Sequence, residues 1–507
     1  MQKLLNEKNI HKVINNLKKN KKKIVLCHGV FDLFHVGHLD YLKEAKVAGD
    51  ILIVSVTTDR FVNKAPGRPF FNTLQRLNLL SSISLVDYVV ESDFETAENI
   101  IKLIKPNIYF KGADYRDNTK DITNKIRKEI NVLKKFKGKI LYSRSQIFSS
   151  SKLLNKYEQK SENVNLFLSK FKKKYTFDFI SKVLNKASQT SICIIGETIF
   201  DKFVFCNYLG RSGKENILTV ENINEKIFLG GSLALANHIS ALSRKVSVCS
   251  VIGDDPKDLN FIKKNLLSNV KFHFVKSQKS PTIVKEKIIE KSDNSKLLGI
   301  YKFNDAPILK NEEIKIKKII LRNITKNKII LISDYGHGLI SREMAVDIIK
   351  KRKKNLFVNT QLNAANFGYH TIGKYINSSC AIINEIELRH ELRNRHSKIE
   401  FLLPILAKRL NIKNLIVTAG AKGSYGYILS SKRFFYCPAF TNVFKDKIGA
   451  GDCYMGVFSI IFNIYPRDMH LAMFVASMAT IDAISGYGSE CLLDNTRLKK
   501  RIFYTLK

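Results

Sequence analysis

The chain has 507 residues, which is too long for one ordinary domain and suggests roughly two to four. With 45% hydrophobic and 26% charged residues it can bury substantial cores, which excludes the disordered and low-complexity classes. No apolar run reaches the roughly 18 residues of a membrane span, and the start lacks the apolar core of a secretion signal. Eight cysteines without a CxxC pair favour reduced thiols. We therefore expect a cytoplasmic protein with no membrane partner.

The formal net charge of +40 raises the question of nucleic-acid binding. Lysine runs such as 21–23 and 172–174 occur in distant parts of the chain. They lack the interleaved aromatic residues of an RNA-binding sheet, and no zinc-finger spacing is present. This pattern favours lysines spread over solvated faces and no specific nucleic-acid partner. A polyanion-binding protein remains an alternative, which the salt dependence of binding would test.

The first third of the chain alternates strands and helices. After a polar lead-in over residues 1–21, an apolar strand over 23–28 is followed by a helical stretch over 36–47 and a strand over 51–56. Strand, helix and strand in about 35 residues are typical of a βαβ unit with a parallel sheet. Strands and helices continue to alternate after this unit, so we predict a Rossmann-like α/β domain over residues 22–160.

A lysine-rich helical connection is predicted over 161–189, and a second series of strands begins at 191–196. Its further strands are 246–248, 329–332, 356–358, 381–383 and 415–418. These apolar, β-branched runs suit central strands that are covered on both faces. We therefore predict a second α/β domain over residues 190–507.

The segment His28–His38 joins the first strand to the following helix, where free N–H groups and the helix dipole favour phosphate. Gly29 lets the backbone approach a ligand closely. His35 and His38 lie three residues apart, so both imidazoles can face charge that develops on phosphorus. Helix capping by the histidines and, less favoured, a metal pair are the alternatives.

The stretch from Gly29 to Asp50 resembles the HxGH signature of the cytidylyltransferase-like nucleotidyltransferases. Over about residues 22–160 the chain is similar to the adenylyltransferase half of the bifunctional heptose kinase/adenylyltransferases of ADP-heptose synthesis. The downstream pieces that carry this similarity are Thr58-Asp59, Lys64, Gly67-Arg68-Pro69, Gln75-Arg76, Val86–Val90, Lys111–Tyr115 and Ser149-Ser150-Ser151. In that family a sugar phosphate attacks the α-phosphorus of a nucleoside triphosphate, and pyrophosphate leaves.

The resemblance implies roles for individual residues. His35 and His38 would stabilise the α-phosphate in the transition state, and Lys64 would neutralise phosphate charge from a loop. Arg76 and the helix start at the three serines would hold the triphosphate tail, and Mg²⁺ would bridge the phosphates of ATP or CTP. The full nucleotide-binding set implied is Gly29, Phe31, Arg76, Lys111, Asp114, Ser149, Ser150 and Ser151.

A second motif, Gly449-Ala450-Gly451-Asp452, precedes an apolar helical stretch over 457–464. Successive small residues let N–H groups surround an anion at a helix start. An aspartate at that place can take a proton from an attacking hydroxyl. A tight turn with no ligand is the alternative.

This motif and four others resemble the ribokinase-like (PfkB) sugar kinases over about residues 190–500. The others are Leu229-Gly230-Gly231, Gly253-Asp254-Asp255, Asn384–Glu387 and Thr418–Gly423. The resemblance implies a ribokinase-like fold, Asp452 as catalytic base, and an anion hole of Gly449, Ala450 and Gly451. It further implies that ATP is bound by Thr418, Gly420 and Gly423, the sugar by Asp201, Gly230 and Gly231, and magnesium indirectly by Asn384 and Glu387.

The chain departs from the pattern of the PfkB kinases in four places. Glu197 stands where an aspartate is usual, and Ala234 where the heptose kinases have a sugar-binding asparagine. Asn359–Gln361 replaces an acidic, proline and basic run, and Ile448 replaces a threonine. The catalytic aspartate is kept while substrate contacts change, which favours a kinase for a different sugar. An inactive kinase scaffold is the alternative.

The predicted order, nucleotidyltransferase first and kinase second, is opposite to the commonest arrangement in the resembled enzymes. We expect a bifunctional sugar kinase and sugar-phosphate nucleotidyltransferase in heptose-like nucleotide-sugar synthesis for surface polysaccharide, including lipopolysaccharide. The alternative is a nucleotidyltransferase making a CDP-polyol or CDP-sugar, beside an inactive, sugar-sensing kinase-like domain. The expected partners are a sugar phosphate and a nucleoside triphosphate, and a homodimer is left open.

Overall fold

The computed structural model describes residues 3–6, 9–62, 69–94, 96–113, 125–144, 162–304, 306–364, 366–441, 443–466 and 468–507. The contacts divide the chain into two compact units, one of Met1–Glu162 with Lys499–Lys507 and one of Asn163–Leu498. The domain limits predicted from the sequence stay a prediction. Both units are built from helices and mainly parallel sheets, so the predicted two-domain α/β fold class is confirmed.

The first unit consists of short strands alternating with helices. Its elements are β1 (Leu4–Leu5), α1 (Ile10–Lys19), β2 (Ile24–Gly29), α2 (Val36–Val47), β3 (Ile51–Thr57), α3 (Thr73–Ser81), β4 (Tyr88–Ser92), α4 (Glu98–Ile104), β5 (Ile108–Lys111), α5 (Lys125–Lys135) and β6 (Lys139–Tyr142). The six strands form one parallel sheet in the order β1-β4-β3-β2-β5-β6.

Strand β2 lies in the middle of this sheet and is buried on both faces. Ile24 and Leu26 pack into one hydrophobic core with α1 and α4, while Val25 and Cys27 pack into a second core on the other face. Side chains alternate between the faces of a strand, so a continuous apolar run supplies both cores. Each such buried aliphatic side chain contributes roughly 1.5–3 kcal/mol relative to exposure.

The second unit contains two sheets and a larger set of helices. Its elements are α6 (Glu162–Lys174), α7 (Phe177–Ala187), β7 (Ser191–Gly196), β8 (Thr198–Arg211), β9 (Leu218–Gly230), α8 (Gly231–Ile239), β10 (Lys245–Gly253), α9 (Pro256–Asn265), β11 (Val270–Ser277), β12 (Ile283–Glu290), β13 (Lys296–Lys302), α10 (Lys310–Lys326), β14 (Ile329–Asp334), α11 (Arg342–Lys351), β15 (Leu356–Thr360), β16 (Cys380–Asn384), α12 (Glu385–Leu392), α13 (Ile399–Arg409), β17 (Asn414–Thr418), β18 (Ser424–Ile428), β19 (Arg433–Cys437), α14 (Ala450–Ile464) and α15 (Met469–Ala483). A last helix, α16 (Asn495–Leu506), ends the chain.

The main sheet of this unit has nine strands in the order β11-β10-β7-β14-β15-β16-β17-β18-β19. Its strands are parallel as far as β17, and β18 and β19 are antiparallel. A separate four-stranded sheet has the order β13-β12-β8-β9. Helix α14 is apolar along nearly its whole length and is buried, as expected of a helix that packs on several sides.

Each parallel sheet has a point where the strand order reverses. In the first unit the chain runs from β2 outward to β3 and β4, and then returns to place β5 on the other side of β2. In the second unit β7 has β10 on one side and β14 on the other. Ligands of open α/β sheets bind outside the carboxyl ends of strands at such switch points. The loops after β2, β7 and β14 are therefore the expected ligand-binding loops.

Among the described residues, no helix is long and apolar enough to cross a membrane.

Candidate active sites

The two histidines of the first motif lie together at the switch point of the first unit. His35 is the N-cap of α2, and its Nδ1 accepts the backbone N–H of Gly37 at 3.0 Å. The rings of His35 and His38 stack with their centroids 4.0 Å apart. Both side chains are half-buried rather than enclosed in the core. The structure thus brings the predicted pair together where solutes have access, and it also shows the capping role that the sequence left open.

The loop between β2 and α2 has an unusual backbone. Phe31 and Leu33 have φ values of 51° and 48°, which non-glycine residues rarely adopt. Between them Asp32 is buried, and its carboxylate accepts the N–H groups of Phe70 and Phe71 at 3.0–3.1 Å. Strained residues persist where surrounding contacts hold them, and they concentrate at functional loops. Gly29, predicted to contact the nucleotide, packs against the Phe31 ring.

Arg76 does not face the loop as a phosphate ligand would. Its guanidinium is 1% exposed, and all five N–H donors are used inside the protein. The acceptors are the carbonyl oxygens of Phe71, Val30 and Thr57, the Asp59 carboxylate and the Thr73 hydroxyl. As the protein stands, Arg76 has no donor left for a triphosphate, which corrects the contact expected from the resemblance. It ties α3 to the ends of β2 and β3 instead.

Lys111, also predicted to bind nucleotide, lies in a buried ion pair with Glu129. Its Nζ is 3.4 Å from Oε2 of Glu129, whose carboxylate also accepts from the Tyr109 hydroxyl and the Ala97 N–H at 3.0 Å each. Burial opposes the charge on Glu129, but Lys111 and the other partners hold its pKa below its ordinary value. Burial, reinforced by Lys111, lowers the pKa of His28 to about 4. Lys111 therefore lowers the pKa of both Glu129 and His28.

Five predicted residues of this site lie outside the described part of the chain. They are Lys64, Asp114, Ser149, Ser150 and Ser151.

In the second unit, the Gly449–Asp452 motif forms the start of helix α14. Gly449 has φ 78°, a left-handed conformation that glycine adopts without strain, and it turns the chain into the helix. The first N–H groups of a helix have no partners within the helix, so they can face an anion. The Ala450 N–H here also donates to the carbonyl of Lys447 at 3.3 Å. The predicted anion hole thus stands at a helix N-terminus.

Asp452 lies in the first turn of this helix and is almost fully buried. Its Oδ1 accepts hydrogen bonds from the Tyr335 hydroxyl at 2.9 Å, the Ser333 hydroxyl at 3.2 Å and the Gln361 amide at 3.3 Å. Burial raises the pKa of Asp452 to about 6, although the Tyr335 and Ser333 donors oppose the shift. A carboxylate with a pKa near neutrality is suited to accept a proton from a hydroxyl.

The residues predicted to hold the sugar are brought together beside this aspartate. A Cβ on Gly230 would lie 2.3 Å from Oδ2 of Asp201, so glycine at the end of β9 allows the Asp201 side chain of β8 to lie this close. Gly231 starts α8, next to the carbonyl of Glu197. Asp201 forms a buried ion pair with Lys287 at 2.7 Å. The predicted sugar site therefore contains a cation, Lys287, that the motif analysis did not include.

Asn384 and Glu387 cap helix α12 reciprocally. The Asn384 side chain accepts the Glu387 N–H at 2.8 Å, and Oε2 of Glu387 accepts the Asn384 N–H at 2.8 Å. Burial raises the pKa of Glu387 to about 7, with a smaller contribution from the charge of Asp452. A buried carboxylate that senses Asp452 is the kind of group that could bind the water shell of a divalent cation. No group of three or more metal-ligating side chains occurs in the described regions.

The residues predicted to bind ATP lie at the end of β17. Thr418 is the last residue of that strand, and Gly420 and Gly423 flank the short turn that leads into β18. They stand at the same sheet edge as Asn384, because β16 and β17 are parallel neighbours with Asn384 opposite Thr418. That edge is where ligands bind in such sheets.

The motif analysis assigned no role to four residues that surround Asp452. Ser333 lies near the end of β14 and Tyr335 follows that strand, Gln361 follows β15, and Lys285 lies on β12 two residues before Lys287. Burial lowers the pKa of Lys285, while the charges of Asp201, Glu197 and Asp452 oppose the shift. Polar residues at the carboxyl ends of central parallel strands indicate a ligand site, and this pattern is visible in the sequence. Lys285 and Lys287 are two residues apart on β12, so their side chains lie on the same face of that strand.

The pfkB family carbohydrate kinase profile matches residues 189–460, more than half of the chain. This chain belongs to the pfkB carbohydrate kinase family. A cytidylyltransferase-like profile matches residues 26–156. Both resemblances drawn from the motifs are therefore confirmed, and at the level of families so is the predicted enzyme class of nucleotidyltransferase and carbohydrate kinase.

Curated relatives match a shorter part of the chain. "Bifunctional protein HldE" of Helicobacter pylori strain G27 is 40% identical over 145 residues, which cover 28% of this chain and 30% of that protein. The protein of the same name from Campylobacter jejuni serotype O:6 strain 81116 is 36% identical over 158 residues, 30% of this chain and 32% of that protein. This chain thus spans about a third of the length of the curated relatives it matches.

Solved structures support the fold of the pfkB region. Ribokinase of Thermotoga maritima superposes with a TM-score of 0.50 at 15% identity, covering 62% of this chain and 99% of that one. Ribokinase of Giardia lamblia gives a TM-score of 0.50 at 14% identity, covering 61% and 98%. At such identities the likeness concerns the fold alone, and it confirms the predicted ribokinase-like fold.

Proposed function

We propose that the chain is a bifunctional enzyme, in which the second unit phosphorylates a sugar with ATP and the first unit transfers a nucleotidyl group to a sugar 1-phosphate. The observation that carries the proposal is the position of Asp452. It combines a buried carboxylate of pKa about 6 with three hydrogen-bond donors and the N-terminus of a buried helix. The family match to carbohydrate kinases supports the same reaction.

In the kinase reaction, Oδ2 of Asp452 takes the proton of the sugar hydroxyl while the hydroxyl oxygen attacks the γ-phosphorus of ATP. The bond from that phosphorus to the β-phosphate oxygen breaks, and ADP leaves. The N–H groups of Gly449, Ala450 and Gly451 hold the negative charge of the phosphoryl group. Gly230, Gly231 and Asp201 place the sugar, and Thr418, Gly420 and Gly423 place ATP.

In the nucleotidyl transfer, the phosphate of the sugar attacks the α-phosphorus and pyrophosphate leaves. His35 and His38 donate hydrogen bonds to the charge on that phosphate from the start of α2. The buried cations Arg76 and Lys111 hold the surrounding strands and helices in place. Lys64 and the serines 149–151 remain proposed phosphate ligands on the strength of the motif alone.

Magnesium fits both proposed reactions. It would neutralise phosphate charge that these side chains leave unpaired. In the second unit Glu387 and Asn384 would hold its water shell, because the Glu387 carboxylate is buried near enough to Asp452 to sense its charge. This is an indirect contact, since both oxygens of Glu387 also accept backbone N–H groups.

We propose a heptose-like sugar as the substrate and a surface polysaccharide such as lipopolysaccharide as the destination, made in the cytoplasm. The similarity to two proteins named "Bifunctional protein HldE" supports this assignment, together with the motifs that the chain shares with heptose kinase/adenylyltransferases. The changed contacts at Glu197, Ala234 and Gln361 favour a sugar different from the usual heptose.

A screen of sugars and sugar phosphates against ATP and CTP tests the proposal. ADP formation and pyrophosphate release are measured separately on the full chain. The expected result is one sugar that yields ADP and one sugar 1-phosphate that yields pyrophosphate, the first lost in Asp452→Asn and the second in His38→Ala. Pyrophosphate release without ADP formation from any sugar would overturn the kinase half and favour a nucleotidyltransferase with an inactive kinase-like domain.

A further inference from the structure

Glu197, the residue that departs from the usual aspartate after the first strand of the kinase unit, has a defined structural role. It follows β7 directly and is buried. Its Oε2 accepts the N–H of Tyr335 at 2.9 Å, and its Oε1 accepts the N–H of His337 at 3.1 Å. The two oxygens of one carboxylate thus hold two alternate N–H groups in the turn after the neighbouring strand β14.

Tyr335, the residue that Glu197 holds, reaches Asp452 with its side chain. The hydroxyl donates to Oδ1 of Asp452 at 2.9 Å, and the tyrosine is 3% exposed. Ser333 and Gln361 donate to the same oxygen. Because all three described hydrogen bonds converge on Oδ1, they fix the rotation of the carboxylate and orient Oδ2 as the oxygen that meets a substrate hydroxyl.

We propose that Tyr335 is a positioning residue for the base Asp452, and that Glu197 holds Tyr335 in place from the adjacent strand. This inference rests on the proposed kinase function and adds a residue pair that the motifs do not include. A fixed donor to a carboxylate stabilises its charged form and aims its free oxygen. Chains of hydrogen bonds in a buried site also restrict the side chains that they join.

The charges that face this carboxylate set the direction of the expected change. Asp201 and Glu387 are nearby acidic groups that disfavour its charge, and Lys285 is a nearby cation that favours it. Replacing Tyr335 by phenylalanine leaves these groups in place and removes one donor. The pKa of Asp452 then rises, so the base is protonated over a wider pH range and activity begins at higher pH.

The test is the pH dependence of ADP formation by Tyr335→Phe in the full chain. We expect the acidic limb of kcat/KM to move to higher pH by about one unit, kcat at the plateau to fall about tenfold, and the KM for ATP to stay within about twofold. A merely structural role would lower the amount of folded protein without moving the limb. Glu197→Gln is expected to shift the limb in the same direction, since its amide nitrogen cannot accept a backbone N–H.

Tyr375→Phe is the matched control. Its hydroxyl donates to Oδ2 of the buried Asp334 at 2.5 Å, so it too is a buried tyrosine bound to a carboxylate. It does not contact Asp452 among the described hydrogen bonds, and its acidic limb should coincide with that of the parent. A folded Tyr335→Phe with an unmoved limb, or an equal shift in Tyr375→Phe, would overturn the proposal.

A second readout separates this inference from the kinase function. The Asp452 carboxyl is titrated by ¹³C NMR in the parent chain and in Tyr335→Phe, with Asp452→Asn used to assign the signal. If no sugar yields ADP, the kinase function fails, yet Tyr335→Phe must still raise the pKa of this carboxyl for the positioning role to hold. An unchanged titration would contradict that role whatever the activity.

Discussion

The two candidate sites occupy equivalent places in their units but manage charge in opposite ways. Each lies where a parallel strand ends at a switch point and a helix begins. In the second unit the reactive carboxylate is buried and surrounded by donors. In the first unit the histidines are half-buried, and the nearby cations Arg76 and Lys111 pair with carboxylates of the protein itself. Under the proposed function, similar folds thus prepare one site to accept a proton and the other to stabilise a phosphate.

Apart from the loss of the proposed base Asp452, the largest effect that would sharpen this comparison is expected at His38. Replacing it by alanine removes a donor to the charge that develops on the α-phosphate, so the rate of pyrophosphate release should fall about 10²–10³-fold. ADP formation by the other unit should not change. His11→Ala is the matched control, because His11 is an exposed residue of α1. Equal rates for the two variants would contradict the assignment of the first site.

A comparably large effect is expected on stability at the sugar site. Lys287→Met leaves Asp201 buried without its cation, which should lower the free energy of unfolding by about 3–5 kcal/mol. Lys226→Met, which breaks a pair with Glu490 that is largely solvent-exposed, should cost less than about 1 kcal/mol. Thermal and urea unfolding of both variants measure the difference. Similar losses would mean that the Asp201–Lys287 pair is not held in a desolvated site.

Arg76 gives a direct contrast between a ligand contact and a structural one. Arg76→Lys keeps the charge but cannot reproduce five donors in a planar fork, so we expect a loss of about 2–4 kcal/mol in unfolding free energy. The KM for the nucleotide should change less than about threefold. A stable variant with a strongly raised KM would restore the triphosphate contact that the motif implies.

The smallest effect concerns the loss of folding stability that is caused by the buried charge of Asp452, the proposed base. The pKa of Asp452 is raised to about 6 in the folded protein, so its burial is unfavourable above that pH and the penalty disappears as the pH falls below about 4. Asp452→Asn keeps an acceptor for the three donors and lacks the charge. We expect it to stabilise the kinase unit by about 1–3 kcal/mol at pH 7.5 and by almost nothing near pH 4, measured by thermal unfolding. A variant less stable than the parent at pH 7.5 would contradict the raised pKa.

Much of this arrangement is predictable from local sequence. The helix predicted over 36–47 is α2, and the strands predicted at 51–56 and 191–196 match β3 and β7 closely. The two strands are nearly continuous apolar runs, and His35 caps the start of α2, so local preference and packing agree. The helix start at Gly449-Ala450-Gly451-Asp452 is equally predictable, because a run of small residues before an apolar helical stretch is a local sequence pattern.

Contacts between distant segments could not be read in the same way. Tyr335 and Asp452 are 117 positions apart, and only the order of the strands places one hydroxyl on the other carboxylate. The inward direction of Arg76 depends likewise on carbonyl oxygens from three separate segments. Asn384 and Glu387 differ, since an asparagine followed three residues later by glutamate is itself the signature of a capping box.

The rate of sugar-dependent ADP formation by Asp452→Asn in the full chain tests the central claim most directly, with pyrophosphate release from the same preparation as the internal reference. We expect ADP formation to fall by about 10³-fold or more while pyrophosphate release stays within about twofold of the parent. A folded Asp452→Asn protein that still phosphorylates the sugar at the parental rate would show that the proton goes elsewhere and that this carboxylate is not the base.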